Sequence, residues 1–144
     1  MALELKASIP ATPDQVFSVL ADLNQAPQWM PAGRKIERLD DRPFGVGTSW
    51  RETRTAGRRT MESTIRVVAC EPGSKLAMRV ESDAMEGDLQ FLLTPTGPGT
   101  EIRYSAAMKG RGFMRLMSGT INRMMAQEDA DLLARLEKQV AKNR

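Results

Sequence analysis

Histidine is absent from this sequence, and its absence removes much of the familiar chemistry of protein sites. The 144 residues include no histidine and one cysteine, Cys70. The usual zinc sites and every Ser-His or Cys-His nucleophile arrangement are therefore excluded, and Cys70 cannot form an internal disulfide. We expect no metal and no resident cofactor. Any catalysis has to use carboxylates, Tyr104, lysine, arginine or a cofactor brought in from outside.

Long apolar runs are also missing. No stretch approaches the roughly eighteen consecutive apolar residues of a membrane-spanning helix. The N-terminus, MALELKASIP, lacks the basic start and apolar run of a secretory signal. The default expectation is a cytoplasmic protein, and the length predicts a single domain over residues 1–144.

Aromatic residues are few, at 5% of the chain, and the net charge is only +3. Nucleic-acid binders usually gather basic residues on one face with aromatics between them, so we expect no nucleic-acid partner. Two groups of basic residues leave open a surface patch for an acidic partner, against the alternative of an ordinary solvated surface. They are Arg34, Lys35 and Arg38, and Arg111, Arg115 and Arg123.

The N-terminal third predicts a strand followed by two short helices. ALELKASI alternates apolar and polar residues, which is the period of a half-buried strand. Thr12, Pro13 and Gln15 then form the start signal of a capped helix. Pro27 and Pro31 limit a second helix to about two turns.

Between Gly33 and Met108 the pattern is that of β-structure. Short Gly/Pro turns separate segments that alternate apolar and polar side chains, which indicates an antiparallel meander with one covered face. The six predicted strands are KIERLD, TSWRETR, RTMESTIRVVA, KLAMRVES, DLQFLLT and TEIRYSAAM.

The last third, from Gly112 to Lys142, has apolar residues at helical spacing and predicts one long helix. Four methionines fall within GFMRLMSGTINRMM, and Gly119 inside this segment is expected to mark a bend or a close approach. A sheet covered on one face and one long amphipathic helix predict an α+β fold in which about seven strands curl around the helix.

Four stretches resemble the SRPBCC or START-like superfamily, which includes polyketide cyclase/dehydrase and lipid-transport proteins and has the helix-grip fold of the birch-pollen allergen. They are IPATPDQVFSVLADLNQAPQWMP, GVGTSWRE, EPGSKLAMRVES and TPTGPGTEIRYSAAMKG. Together they extend the resemblance over nearly the whole chain, and none of them is a catalytic signature.

The resemblance implies a cavity between the curved sheet and the C-terminal helix. Members of the superfamily use it for lipids, sterols, polyketides, quinones or hormones, and the fold does not choose among these functions. The leading hypothesis is binding or transport of a small hydrophobic or amphipathic molecule. One alternative is a cyclase- or dehydratase-like enzyme that uses Glu52 and Tyr104 as acid and base. Another is a module that binds a partner through its basic face.

Strand parity predicts which side chains face the cavity. If Ala56 and Gly57 form the hairpin tip, Glu52 lies opposite Met61, and Trp50, Glu52 and Arg54 share the inner face. Arg54 and Arg59 would then pair with Glu52 or form a basic rim for an anionic ligand. A slip of one residue would reverse every assignment.

We expect the ligand to contact aromatic, methionine and polar side chains on the inner face, although plain core filling is the alternative. Methionine adapts its shape, so the C-terminal methionines suit a deformable cavity wall. The candidate ligand-binding residues are Trp29, Trp50, Glu52, Met61, Met78, Phe91, Tyr104, Phe113, Met117, Ile121 and Met124. The sequence leaves a homodimer open.

Overall fold

The computed structural model describes residues 3–30, 34–56 and 58–143, without the side chains of Ala56 and Arg59. Seven strands form one antiparallel sheet, as the alternating segments predict. Their bounds are β1 Leu3–Ile9, β2 Arg34–Arg38, β3 Ser49–Ala56, β4 Arg59–Glu71, β5 Lys75–Glu81, β6 Met85–Thr96 and β7 Gly99–Gly110.

The strand order across the sheet is β1-β7-β6-β5-β4-β3-β2. From β2 to β7 each strand pairs with its neighbour in sequence, and β1 closes the far side by pairing with β7. A register shift between Val67 and Ala69 interrupts the β4–β5 ladder. Such a bulge bends a strand and increases its twist, which helps the sheet to curve.

Two short helices follow β1, as predicted: α1, Pro13–Leu20, and α2, Ala26–Trp29. The predicted capping box begins α1. The Gln15 backbone N–H donates to Thr12 Oγ1 at 3.2 Å, and the Thr12 backbone N–H donates to Gln15 Oε1 at 2.9 Å. None of the helices within the described ranges is both long enough and apolar enough to cross a bilayer.

The predicted C-terminal helix is confirmed as a long helix that bends. It consists of a 3₁₀ segment, Gly112–Met117, then α3, Ser118–Glu128, and α4, Leu132–Lys142. Gly119 does not mark the bend or a close approach. It lies in the first turn of α3, and apart from its chain neighbours and the helix's own nearby backbone no described atom comes within 4 Å of where its Cβ would stand. The helix breaks after Glu128 instead.

Asn122 fastens α3 to the last strand. Its Oδ1 accepts from the Met108 backbone N–H at 3.0 Å, and its Nδ2 donates to the Met108 carbonyl at 2.7 Å. A buried amide that satisfies both backbone groups of one strand residue fixes the position of the helix on the sheet.

The β3–β4 pairing corrects the predicted register while keeping its faces. Glu52 lies opposite Ser63, not Met61, and Arg54 lies opposite Met61, not Arg59. The turn is shifted by one residue, which moves the pairing by two. Because side chains alternate with a period of two, Trp50, Glu52 and Arg54 remain on the inner face. The side chain of Arg59 lies outside the described part of the chain.

Candidate functional site

A pocket of about 270 Å³ lies between the inner face of the sheet and the C-terminal helix. Strands β2 to β7 form its floor, α3 covers it, and α1 and α2 contribute Leu20 and Trp29 at one end. Met61 and Met124 line the pocket and are also exposed, so they mark its opening to solvent. A second hollow of about 340 Å³ lies beside α4, but charged and amide side chains dominate its lining.

Nine of the eleven candidate ligand-binding residues line this pocket. They are Trp29, Trp50, Glu52, Met61, Met78, Phe91, Tyr104, Ile121 and Met124.

Phe113 and Met117 do not line the pocket, in contrast to the sequence expectation. Their side chains are 86% and 44% exposed. The residues from Gly112 to Met117 form a 3₁₀ turn with three residues per turn instead of 3.6, so the helical phase assumed from the sequence does not apply there. Met114 and Met125 line the pocket instead.

Two ion pairs stand at the polar end of the pocket. Arg34 Nη2 lies 2.6 Å from Asp129 Oδ1, and their side chains are only 7% and 3% exposed. Arg54 Nη1 pairs with Glu128 Oε2, and this second pair is partly exposed. Both acids come from the end of α3 and the break after it, so these pairs join β2 and β3 to the bend of the helix. Sequence reasoning missed Asp129 and Glu128, because nothing local indicates a partner about 75 to 95 residues away.

Glu52 is buried on the inner face of β3 between these arginines. Burial raises the pKa of its carboxyl, and the positive charges of Arg34 and Arg54 oppose that rise without cancelling it. Because both arginines already pair with other acids, Glu52 is left without an ion pair among the described residues. Its carboxyl therefore takes up a proton at a higher pH than an exposed glutamate does.

Tyr104 lies on the inner face of β7, buried against Phe91 at a ring-centroid distance of 4.8 Å. Burial raises its pKa well above the ordinary value of 10. A phenol of this kind stays protonated near neutral pH. It can donate a hydrogen bond, but it is poorly suited to act as a base.

The indole groups of Trp29 and Trp50 are both buried, at 4% and 3% exposure, and both line the pocket. Neither Nε1 has a hydrogen-bond partner among the described residues. The indole of Trp50 lies near the carboxyl of Glu52 and lowers its pKa, against the larger effect of burial, but the two groups do not form a well-aligned hydrogen bond. Buried indole N–H groups normally find an acceptor.

The proposed basic face does not form as the sequence suggested. Arg34 is buried in its pair with Asp129, and Arg38 is engaged with Asp40. Arg111 lies 3.2 Å from Glu86 and also donates to the Ser82 carbonyl. Three of the six basic residues thus contact acids, and Arg34 is buried and cannot belong to an exposed basic face.

The chain is similar to several solved structures over nearly its full length. TTHA0849 from Thermus thermophilus is 18% identical, with a TM-score of 0.81 and 99% of each chain covered. Ara h 8.0201 is 16% identical, with a TM-score of 0.76, and covers 99% of this chain and 98% of its own. DynU16, from the dynemicin biosynthetic locus, is 19% identical with a TM-score of 0.67. It covers 99% of this chain, which spans 48% of DynU16.

At these identities the likeness shows a shared fold and nothing finer. None of the curated proteins matches the sequence significantly. The sequence profile described as "Polyketide cyclase / dehydrase and lipid transport" matches residues 2–141. The chain therefore belongs to the polyketide cyclase/dehydrase and lipid transport family.

Proposed function

We propose that the protein binds a small hydrophobic or amphipathic molecule in the pocket between the sheet and the C-terminal helix. The observation that carries the proposal is the pocket itself. Its lining is mainly apolar and includes eight methionine side chains, and its charged side chains belong to the polar end. Its volume of about 270 Å³ is just below the usual range for ligand pockets, about 300–1,000 Å³. The ligand is accordingly compact.

Blocking the pocket tests this proposal. Ser63 lines the pocket opposite Glu52, whereas its neighbour Thr64 is exposed on the outer face of the same strand. The neutral probe N-phenyl-1-naphthylamine, whose fluorescence rises in apolar surroundings, should bind the wild-type protein with a stoichiometry of one. Ser63→Phe fills the pocket and should weaken binding at least about tenfold, and Thr64→Phe should leave it unchanged.

Circular dichroism spectra and unfolding temperatures of both variants show whether each one is folded. Equal binding by wild type and folded Ser63→Phe would mean that the probe occupies another surface and that the pocket is not the site. Equal loss in both variants would point to damage to the sheet, not to a filled pocket.

An acid–base enzyme is the second candidate, and the buried carboxyl of Glu52 is the observation that favours it. A raised pKa suits a general acid near neutral pH. Tyr104 fits that role less well, because its own raised pKa limits it to donating a hydrogen bond. In this case Glu52→Gln would abolish turnover of the bound molecule and leave its binding intact.

A cytoplasmic location, a homodimer and a single domain over residues 1–144 stay predictions from the sequence.

A further inference from the structure

The lining of the pocket contains two indole N–H donors that have no hydrogen-bond acceptor among the described residues. The indole N–H groups of Trp29 and Trp50 are buried and unpartnered within the described residues. An unsatisfied buried donor is unfavourable by about 1–3 kcal/mol. Two such donors in the lining of one pocket indicate that an acceptor arrives with the occupant of that pocket.

The arginines at the polar end of the pocket are already paired with acids, so they do not favour an anionic ligand. The described lining includes two arginines and three acids: Arg34 and Arg54, and Glu52, Glu128 and Asp129. Each arginine is paired with an acid of the helix bend. Among these described lining residues no unpaired positive charge remains for a carboxylate or phosphate, because their net charge is zero when Glu52 is protonated and −1 when it is ionised.

We infer that the pocket selects a neutral molecule with an apolar body and a carbonyl or hydroxyl oxygen, which accepts a hydrogen bond from the indole N–H of Trp50 or Trp29. The inference rests on the proposed function and narrows its ligand class. Fatty acids and other amphiphiles with an anionic head are thereby disfavoured. The inference replaces the sequence-based hypothesis that Arg54 and Arg59 form a basic rim for an anionic ligand head.

Glu52 fits the same class of ligand. When protonated, the carboxyl of Glu52 can donate a hydrogen bond to a carbonyl or hydroxyl oxygen of the ligand, and its other oxygen can accept one from a ligand hydroxyl. Tyr104 and Phe91 supply two aromatic faces, tilted by 38° to each other, in the lining of the pocket. An aromatic or alicyclic body suits these faces.

Three naphthalenes of nearly equal shape test the inference: 2-acetylnaphthalene, 2-naphthoate and 2-isopropylnaphthalene. They share the ring and the heavy-atom count and differ in carrying a neutral carbonyl, a negative charge or no polar group. Affinities are measured by equilibrium dialysis at pH 7.5, where the acid is ionised. The ketone should bind about tenfold more tightly than either of the other two.

Variants locate the hydrogen bond. Trp50→Phe removes the N–H but keeps an aromatic ring, so it should weaken ketone binding about tenfold and change binding of the hydrocarbon less than about twofold. Trp29→Phe tests the second indole in the same way, and it is the only tryptophan variant used if Trp50→Phe does not fold. Met78→Leu alters the apolar wall without touching a donor and should affect all three compounds alike.

The outcomes distinguish a failure of the neutral-oxygen inference from a failure of the proposed ligand-binding function. Tightest binding of 2-naphthoate, or equal binding of all three compounds, overturns the neutral-oxygen inference while a ligand-binding pocket stands. A ketone preference that survives in both tryptophan variants also overturns it. If none of the three compounds binds, and N-phenyl-1-naphthylamine also fails to bind, the proposed function falls with it.

Discussion

Glu52 is the acid in the described pocket lining that has no ion-pair partner among the described residues. Its carboxyl is buried beside an apolar cavity, and the arginines nearest to it are paired with other acids. Burial disfavours the ionised form, and the pKa of Glu52 is raised from its ordinary value of 4.5. The folded protein therefore holds a proton on Glu52 at pH values where the unfolded chain has lost it.

This difference makes stability depend on pH in a definite direction. Since the folded state binds more protons, the contribution of Glu52 becomes less favourable as pH rises above about 4.5. Glu52→Gln should match the wild-type unfolding temperature near pH 4 and exceed it by about 3 °C or more at pH 7–8. Thermal unfolding at a series of pH values measures the difference.

Glu62→Gln, on the exposed face of β4, is the matched control and should show no such trend. A Glu52→Gln variant less stable than wild type at neutral pH would mean that the ionised carboxylate stabilises the fold. In that case the account of the polar end as charge-balanced without Glu52 would be wrong.

The sequence predicted correctly which face of a strand a residue lies on, because side chains alternate between the two faces. It did not predict positions that depend on the phase of a helix or on a partner far away in the sequence. The inward direction of Glu52 survived a wrong pairing, because a shift by two residues preserves the face. Met117 was misplaced because a 3₁₀ turn changes the phase of the helix. The pairing of Arg34 with Asp129 spans 95 positions and has no local signal.

The break between α3 and α4 is the element on which the polar end depends. Asp129 and Glu128 at this break pair with Arg34 on β2 and Arg54 on β3. The bend thus brings two acids down onto the edge of the sheet. The sequence predicted a bend or a close approach at Gly119, and the break lies about ten residues later, after Glu128.

Removal of one partner from the buried Arg34–Asp129 pair should destabilise the fold, because the other partner is left as a buried unpaired charge. Arg34→Met leaves a buried carboxylate without its cation, and the free energy of unfolding should fall by about 3–5 kcal/mol. The double variant Arg34→Met/Asp129→Leu should recover much of that loss, because no unpaired charge remains. Urea denaturation measures all three proteins.

Arg135→Ala provides the comparison, since Arg135 and Asp131 form an exposed pair on α4 that should contribute less than about 1 kcal/mol. A loss of similar size in Arg34→Met and Arg135→Ala would contradict the buried role of the first pair. A double variant no better than Arg34→Met would show that packing, not charge, explains the effect.

At the scale of the molecule, seven strands and a bent helix enclose a pocket whose walls are apolar except at one end. The strand count, the antiparallel order and the two short helices follow from period-two alternation, Gly/Pro turns and one capping box, so the sequence predicted them. The space left under the helix did not follow, because methionine at helical spacing is compatible with a filled core or with an open one. Only the packing of the helix on the sheet distinguishes these cases.

Native mass spectrometry of the freshly purified protein, followed by extraction of any bound compound, tests the central claim most directly. The account predicts one small molecule per chain in the wild-type protein and in Thr64→Phe, and none in folded Ser63→Phe. The extracted compound should be neutral and contain oxygen. A wild-type protein that carries no small molecule, even after incubation with N-phenyl-1-naphthylamine, would contradict the claim that the space under the helix is a ligand site.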